Sequence, residues 1–169
     1  LKLVNVENNC FEQYAFNSHV TVAKWHPRHP SKILIGSVKG EIRMYDLEKK
    51  AFETDFTAFF NPKLEKKDSN SVVDLAWSPG EDVFLALFKN GQLRLYGQHE
   101  IGHKMEFETQ SGGGVSKACW VDNVSGDFIT SSARVGAIKI WNASQPQHKE
   151  MIKVSRHGIS SIVACQRYH

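Results

Sequence analysis

One arrangement of residues occurs three times along the chain and restricts its fold more than any other feature. Val20-Thr-Val-Ala-Lys-Trp25, Val72-Val-Asp-Leu-Ala-Trp77 and Val115-Ser-Lys-Ala-Cys-Trp120 each set Val five residues before Trp. Further on, Gly40-Glu-Ile-Arg-Met-Tyr45, Gly91-Gln-Leu-Arg-Leu-Tyr96 and Gly136-Ala-Ile-Lys-Ile-Trp141 each set an aromatic residue five after Gly. Apolar runs stand between the two blocks of every copy, at 33–35, 84–88 and 128–130. Blocks matched in the same order are an internal repeat, and a repeat fixes the architecture before local propensity does.

Each copy reads as strands. Ile42-Arg-Met-Tyr45, Leu93-Arg-Leu-Tyr96 and Ile138-Lys-Ile-Trp141 alternate apolar and basic residues, which is the period of a half-buried strand. Gly40, Gly91 and Gly136 come just before these strands, where a tight hairpin needs positive φ; Asn90-Gly91 is the strongest of these turn signals. Pro27, Pro30 and Pro79 follow the strands that end in Trp, where a missing N–H ends pairing without breaking a ladder. No stretch sustains a helical period with caps. The chain is therefore expected to be all-β.

The Trp-to-Trp spacings are 52 and 43 residues. The second suits a four-stranded unit of ~40–45 residues, and the first is lengthened by an insertion at 57–70. At the start, Leu1-Lys-Leu-Val-Asn5 matches Ile138-Lys-Ile-Trp-Asn142, and near the end His157-Gly-Ile159 resembles the opening of a new unit. The expected division is 1–18 as the last two strands of a preceding unit, 19–56 as a first full repeat and 57–70 as an inserted loop. It continues with 71–110 and 111–155 as two more repeats and 156–169 as the first strand of a following unit. Joining the two ends into a closed four-unit ring would give a unit without its second strand and leave a ragged edge, which closed rings avoid. A chain cut this way is expected to need its missing strands for stability.

The three copies together resemble WD repeats, the blades of a β-propeller, over essentially the whole chain. The resemblance implies an all-β segment of about three and a half four-stranded blades from a larger, seven-bladed propeller of about 300 residues at ~43 per blade. It also implies a non-catalytic scaffold that offers other proteins a rigid platform within a large assembly, the remaining blades of its own propeller being partners as well. Departures from the family pattern are clear. Trp141-Asn142, Tyr45-Asp46 and Tyr96-Gly97 stand where the family has its Trp-Asp pair, and Lys39, Asn90 and Val135 replace the hairpin Asp. His157 alone is placed for the family's Gly-His position, so the Asp–His–Ser–Trp network of many blades is incomplete and packing must rest on apolar burial. Residues 119–130 and 133–142, with Lys24-Trp-His26 and the block 33–45, are similar to a family member linked with ciliated cells. That likeness implies a cilium or flagellum as the setting.

Charge and composition narrow the function. Lys and Arg number 21 against 18 Asp and Glu, a net +3, which is too mild for the strong basic stripe of a nucleic-acid binder. No apolar run approaches the ~20 residues of a membrane span. The three cysteines Cys10, Cys119 and Cys165 are far apart and odd in number, which points to a reducing, intracellular compartment such as the cytoplasm.

No catalytic, cofactor-binding or metal-binding residues are expected. His26-Pro-Arg-His29 has two histidines three apart, but its prolines exclude a helix and a surface turn is expected. Gly112-Gly-Gly114 precedes a strand, not a helix, and so is no phosphate loop. Glu81-Asp82 belongs to a turn, and Asn123 and Asn142 spell glycosylation sequons read as turn residues. A channel enzyme would need acidic or histidine side chains at the starts of the inner strands, which read His19-Val20, Ser71-Val72 and Gly114-Val115. Trp25, Trp77, Trp120, Tyr45, Tyr96 and Trp141 are expected to be structural core. The partner contact is expected on the inserted loop, at Phe59, Phe60, Lys63, Lys66 and Lys67; the alternative use of that basic loop is to bind nucleic acid or phospholipid.

Overall fold

A computed structural model describes residues 2–5, 10–13, 18–56, 70–80, 82–100, 102–109, 114–122 and 124–164. Every regular element among them is a strand. A hairpin of β1 (Lys2–Asn5) and β2 (Cys10–Gln13) comes first. Three four-stranded sheets follow: β3 (Val20–Trp25) to β6 (Ala51–Asp55), β7 (Val72–Trp77) to β10 (His103–Phe107), and β11 (Val115–Trp120) to β14 (Glu150–Lys153). Each is an antiparallel meander in chain order. Within the first, β4 is Lys32–Ser37 and β5 is Ile42–Asp46. The second holds β8 (Val83–Phe88) and β9 (Leu93–Gly97), the third β12 (Asp127–Ser132) and β13 (Ala137–Asn142). These are propeller blades, and the expected all-β segment with its four-stranded units is borne out.

The inner strands β3, β7 and β11 lie side by side, so the blades fan out from one axis. The sequence reflects the resulting gradient of burial. The middle strand β8 is apolar at every position because both faces are covered: Phe84, Ala86 and Phe88 pack toward the first blade, Leu85 and Leu87 toward the third. The outer strands β6 and β14 are largely exposed and carry the charges. Gly40, Gly91 and Gly136 take φ of 84°, 93° and 31° at the hairpins that open the third strands, a region that suits glycine.

A single device recurs on every inner strand. The register slips after its first residue, between Val20 and Val22, Val72 and Asp74, and Val115 and Lys117. Such a bulge re-aims the skipped side chain. The Thr21 hydroxyl is thereby turned onto the Val72 carbonyl of the next blade at 2.6 Å. The Ser116 hydroxyl donates in the same way to the Ile159 carbonyl at 3.1 Å.

Three expectations need correction. Trp25 is 53% exposed and is not core: the blade that covers Trp77 and Trp120 from behind has no four-stranded counterpart before Trp25 among the described residues. His26 is buried beneath the expected surface turn: its ring packs on Trp77 at 4.7 Å, and its Nδ1 accepts the Arg28 and His29 amides, each at 3.2 Å, while Pro27, Arg28 and His29 are exposed. Residues 156–164 form no strand. They run beside β11, with the Ile159 amide donating to Ser132, but no described strand lies on their other side to pair with them.

Candidate functional site

Two features of the stacked blades organise the molecule: an aromatic cluster repeated at each interface and a charged cleft on the channel side.

At the first interface, Phe84 and Tyr96 stack at 5.2 Å with their planes 6° apart. Phe56, which follows the outer strand of the first blade, stands edge-on to both, at 5.0 Å and 6.2 Å. Trp77 closes the group at 5.2 Å from Phe84. At the second interface Phe128 and Trp141 lie 5° apart, Phe107 stands edge-on at 5.1 Å and 5.7 Å, and Trp120 is 5.4 Å from Phe128. Edge-to-face and offset pairs of this kind add about 0.5–1.5 kcal/mol each beyond area burial. Phe56 and Phe107 are not among the expected core residues. The available signal was a constant spacing: each lies eleven residues after Tyr45 or Tyr96 and follows an acidic residue, Asp55 or Glu106. Those acids pair with the basic residue of the alternating strand, Arg43 with Asp55 and Arg94 with Glu106, both at 3.0 Å. In the third blade the corresponding pair is Met151-Ile152, and Ile152 is 37% exposed with no aromatic cluster to enter.

The polar residues of the family network are largely replaced. Trp141 donates its indole N–H to Thr130 at 2.9 Å. In the first blade the hairpin is held instead by Glu41, which accepts from Ser18 at 2.5 Å and Ser37 at 3.2 Å. In the second, Asn90 donates to Gln92 at 2.7 Å and to Asn70 at 3.5 Å.

On the channel side, a cleft of about 460 Å³ lies across the inner strands and the 161–163 segment. Asp74, 3% exposed in its side chain, accepts the Ala118 amide on Oδ2 at 3.2 Å. Its Oδ1 faces Lys117 at 3.4 Å and Lys24 at 3.8 Å. Three successive blades thus supply one side chain each to a Lys–Asp–Lys group. Sequence spacing gave no hint of it, because inner strands more than 40 residues apart become neighbours only in the folded ring. Cys119 lines the same cleft, its sulfur accepting the Ala164 amide at 3.1 Å.

Of the expected site residues, Tyr45, Tyr96, Trp120 and Trp141 are buried and Trp77 is partly buried. Phe59, Phe60, Lys63, Lys66 and Lys67 lie outside the described residues, as do Glu81, Asn123, Gly112 and Gly113. Asn142 is engaged in its turn, donating to the Ser125 carbonyl at 2.7 Å. Among the described residues, no three His, Cys, Asp or Glu side chains are grouped to hold a metal ion, and no helix is long and apolar enough to cross a membrane.

No family model matches the chain. Periodic tryptophan protein 1 homolog of Drosophila melanogaster, a WD-repeat protein, is 22% identical over 138 residues. The match takes in 81% of this chain and 28% of that protein, so the chain spans well under a third of its relative. The solved structure of U3-55K, a WD-type propeller, superposes with a TM-score of 0.73 at 13% identity, over 89% of this chain and 44% of that one. The chain is similar to WD-repeat proteins, and its fold is that of consecutive propeller blades.

Proposed function

We propose that this chain supplies consecutive blades to a WD-repeat propeller that works as a non-catalytic scaffold for other proteins. The observation that carries the reading is the pair of fully packed interblade interfaces. They lock three sheets into one unit and hold the hairpins and loops in fixed relation, which is what a recognition platform requires. Partner contact through Phe59, Phe60, Lys63, Lys66 and Lys67 is part of the proposal, with affinity concentrated in a few aromatic or basic anchors. The setting is a ciliary or flagellar assembly, supported by the likeness of residues 119–130 and 133–142 to WD repeat-containing protein 17.

Crosslinking mass spectrometry in cells that express the protein naturally tests this. The expected result is lysine crosslinks from 63, 66 and 67 to other proteins, retained at raised salt. Crosslinks confined to the protein's own chain would refute the platform. Binding that collapses steeply with salt would instead favour nucleic acid or phospholipid. Imaging of the tagged protein tests the setting: enrichment along cilia supports it, and an even cytosolic signal in ciliated cells opposes it.

A further inference from the structure

We propose that the channel-side cleft is a receptor for a single carboxylate carried by a partner peptide, a reading that rests on the scaffold role above. Lys24, Asp74 and Lys117 are the charged side chains among its described lining residues. Two ammonium groups thus share one carboxylate, and the cleft keeps one positive charge unmatched. Asp74 itself is committed, since its second oxygen holds the Ala118 amide and ties the second blade to the third. The two lysines are 45% and 38% exposed, so both can reach an incoming group without leaving the cleft. One carboxylate brings the cleft to neutrality. A phosphate dianion would overshoot and lie against buried Asp74.

The rest of the lining fits the body of a peptide. Leu75, Ala76, Trp77 and Ala118 give it an apolar wall. A volume of about 460 Å³ lies within the ~300–1,000 Å³ of ligand-sized pockets. A few convergent polar groups in an apolar wall are the usual composition of such sites.

The test is a titration of the full-length protein with acetyl-Gly-Ala-Glu-Ala-Gly-amide, its Gln counterpart, acetyl-Gly-Ala-Gly-Ala free acid and inorganic phosphate. The Ala118 backbone amide, which donates to Asp74 inside the cleft, is followed by NMR. The Glu peptide or the free acid is expected to shift it, the Gln peptide and phosphate to leave it in place; whichever carboxylate binds tighter identifies a side chain or a chain terminus as the source. Lys24→Met and Lys117→Met should each weaken binding about fivefold. Asp74→Asn should tighten it severalfold by freeing both lysines, and circular dichroism checks that each variant is folded. Equal shifts by the Gln peptide, tighter binding of phosphate, or unchanged affinity in both lysine variants would overturn the proposal. So would absence of any shift at millimolar peptide, and persistence of partner crosslinks in that case would leave the scaffold reading intact.

Discussion

The middle blade holds its two neighbours by the same aromatic geometry but by different polar bonds. Toward the first blade, the bulge residue Thr21 latches onto Val72, and His26 packs on Trp77. The buried Trp77 indole nitrogen meets no acceptor there. Toward the third blade, the bulge residue is Val73, which has no hydroxyl to offer. Asp74 takes over by accepting the Ala118 amide, and Trp120 donates to the Ala76 carbonyl at 3.0 Å. The stacked pair with its edge-on Phe is thus the constant element of blade packing. The hydrogen bonds around it are local solutions that vary with the residue available.

The comparison can be broken most severely at the constant element. Phe56→Ala and Phe107→Ala should each lower stability by about 3–5 kcal/mol in urea unfolding, because each leaves a cavity against two aromatic rings. A loss below about 1 kcal/mol at either position would mean that the edge-on ring does not carry the interface.

The next effect separates the two interfaces. Trp120→Phe removes an indole N–H that has an acceptor, so it should cost about 0.5–1.5 kcal/mol more than Trp77→Phe, which removes one without an acceptor. Equal losses would show that the two indoles are equivalent. Thr21→Val comes next, at about 1 kcal/mol, and should destabilise the first interface alone. Hydrogen exchange at β3 and β7 against β11 reads that asymmetry.

The smallest effect lies on the rim of the first blade. The Lys32 and Lys49 ammonium groups hold Glu53 to a pKa of about 2, below its ordinary 4.5. A carboxylate lowered in this way stabilises the fold above its unfolded value and loses that contribution as the pH falls from about 4.5 to about 2. Because Lys49 is largely solvent-exposed, the gain is about 1 kcal/mol or less. Glu53→Gln should lower stability at pH 7 by about that amount and flatten the acid limb in that window, so that variant and parent converge below pH about 2. An unaltered acid limb would assign no stabilising role to the pair.

Much of this was legible in the sequence because the repeated positions are local. The Val-to-Trp and Gly-to-aromatic blocks specify strands and hairpins by alternation and turn chemistry alone. What escaped depends on distance in the chain. Trp25 has the same local sequence as Trp77 and Trp120, and nothing in that sequence says whether another blade stands behind it. Phe56 and Phe107 carry a readable spacing, but their role needs the next blade's stacked rings, which lie 28 and 21 residues onward. The Lys24–Asp74–Lys117 group is an accident of pattern until three inner strands meet. Asp74 and Lys117 share one position of the repeat, three before Trp, but Lys24 stands just before its Trp, so no single periodicity links the three.

The central claim is that successive blades are held by an outer-strand Phe set into the next blade's stacked aromatic pair. A double-mutant cycle of Phe107→Leu with Phe128→Leu tests it most directly, read by urea unfolding. The edge-on contact of Phe107 with Phe128 predicts a coupling of about 0.5–1.5 kcal/mol between the two rings. Losses that simply add, to within about 0.3 kcal/mol, would mean that β10 does not pack on the third blade and would contradict it.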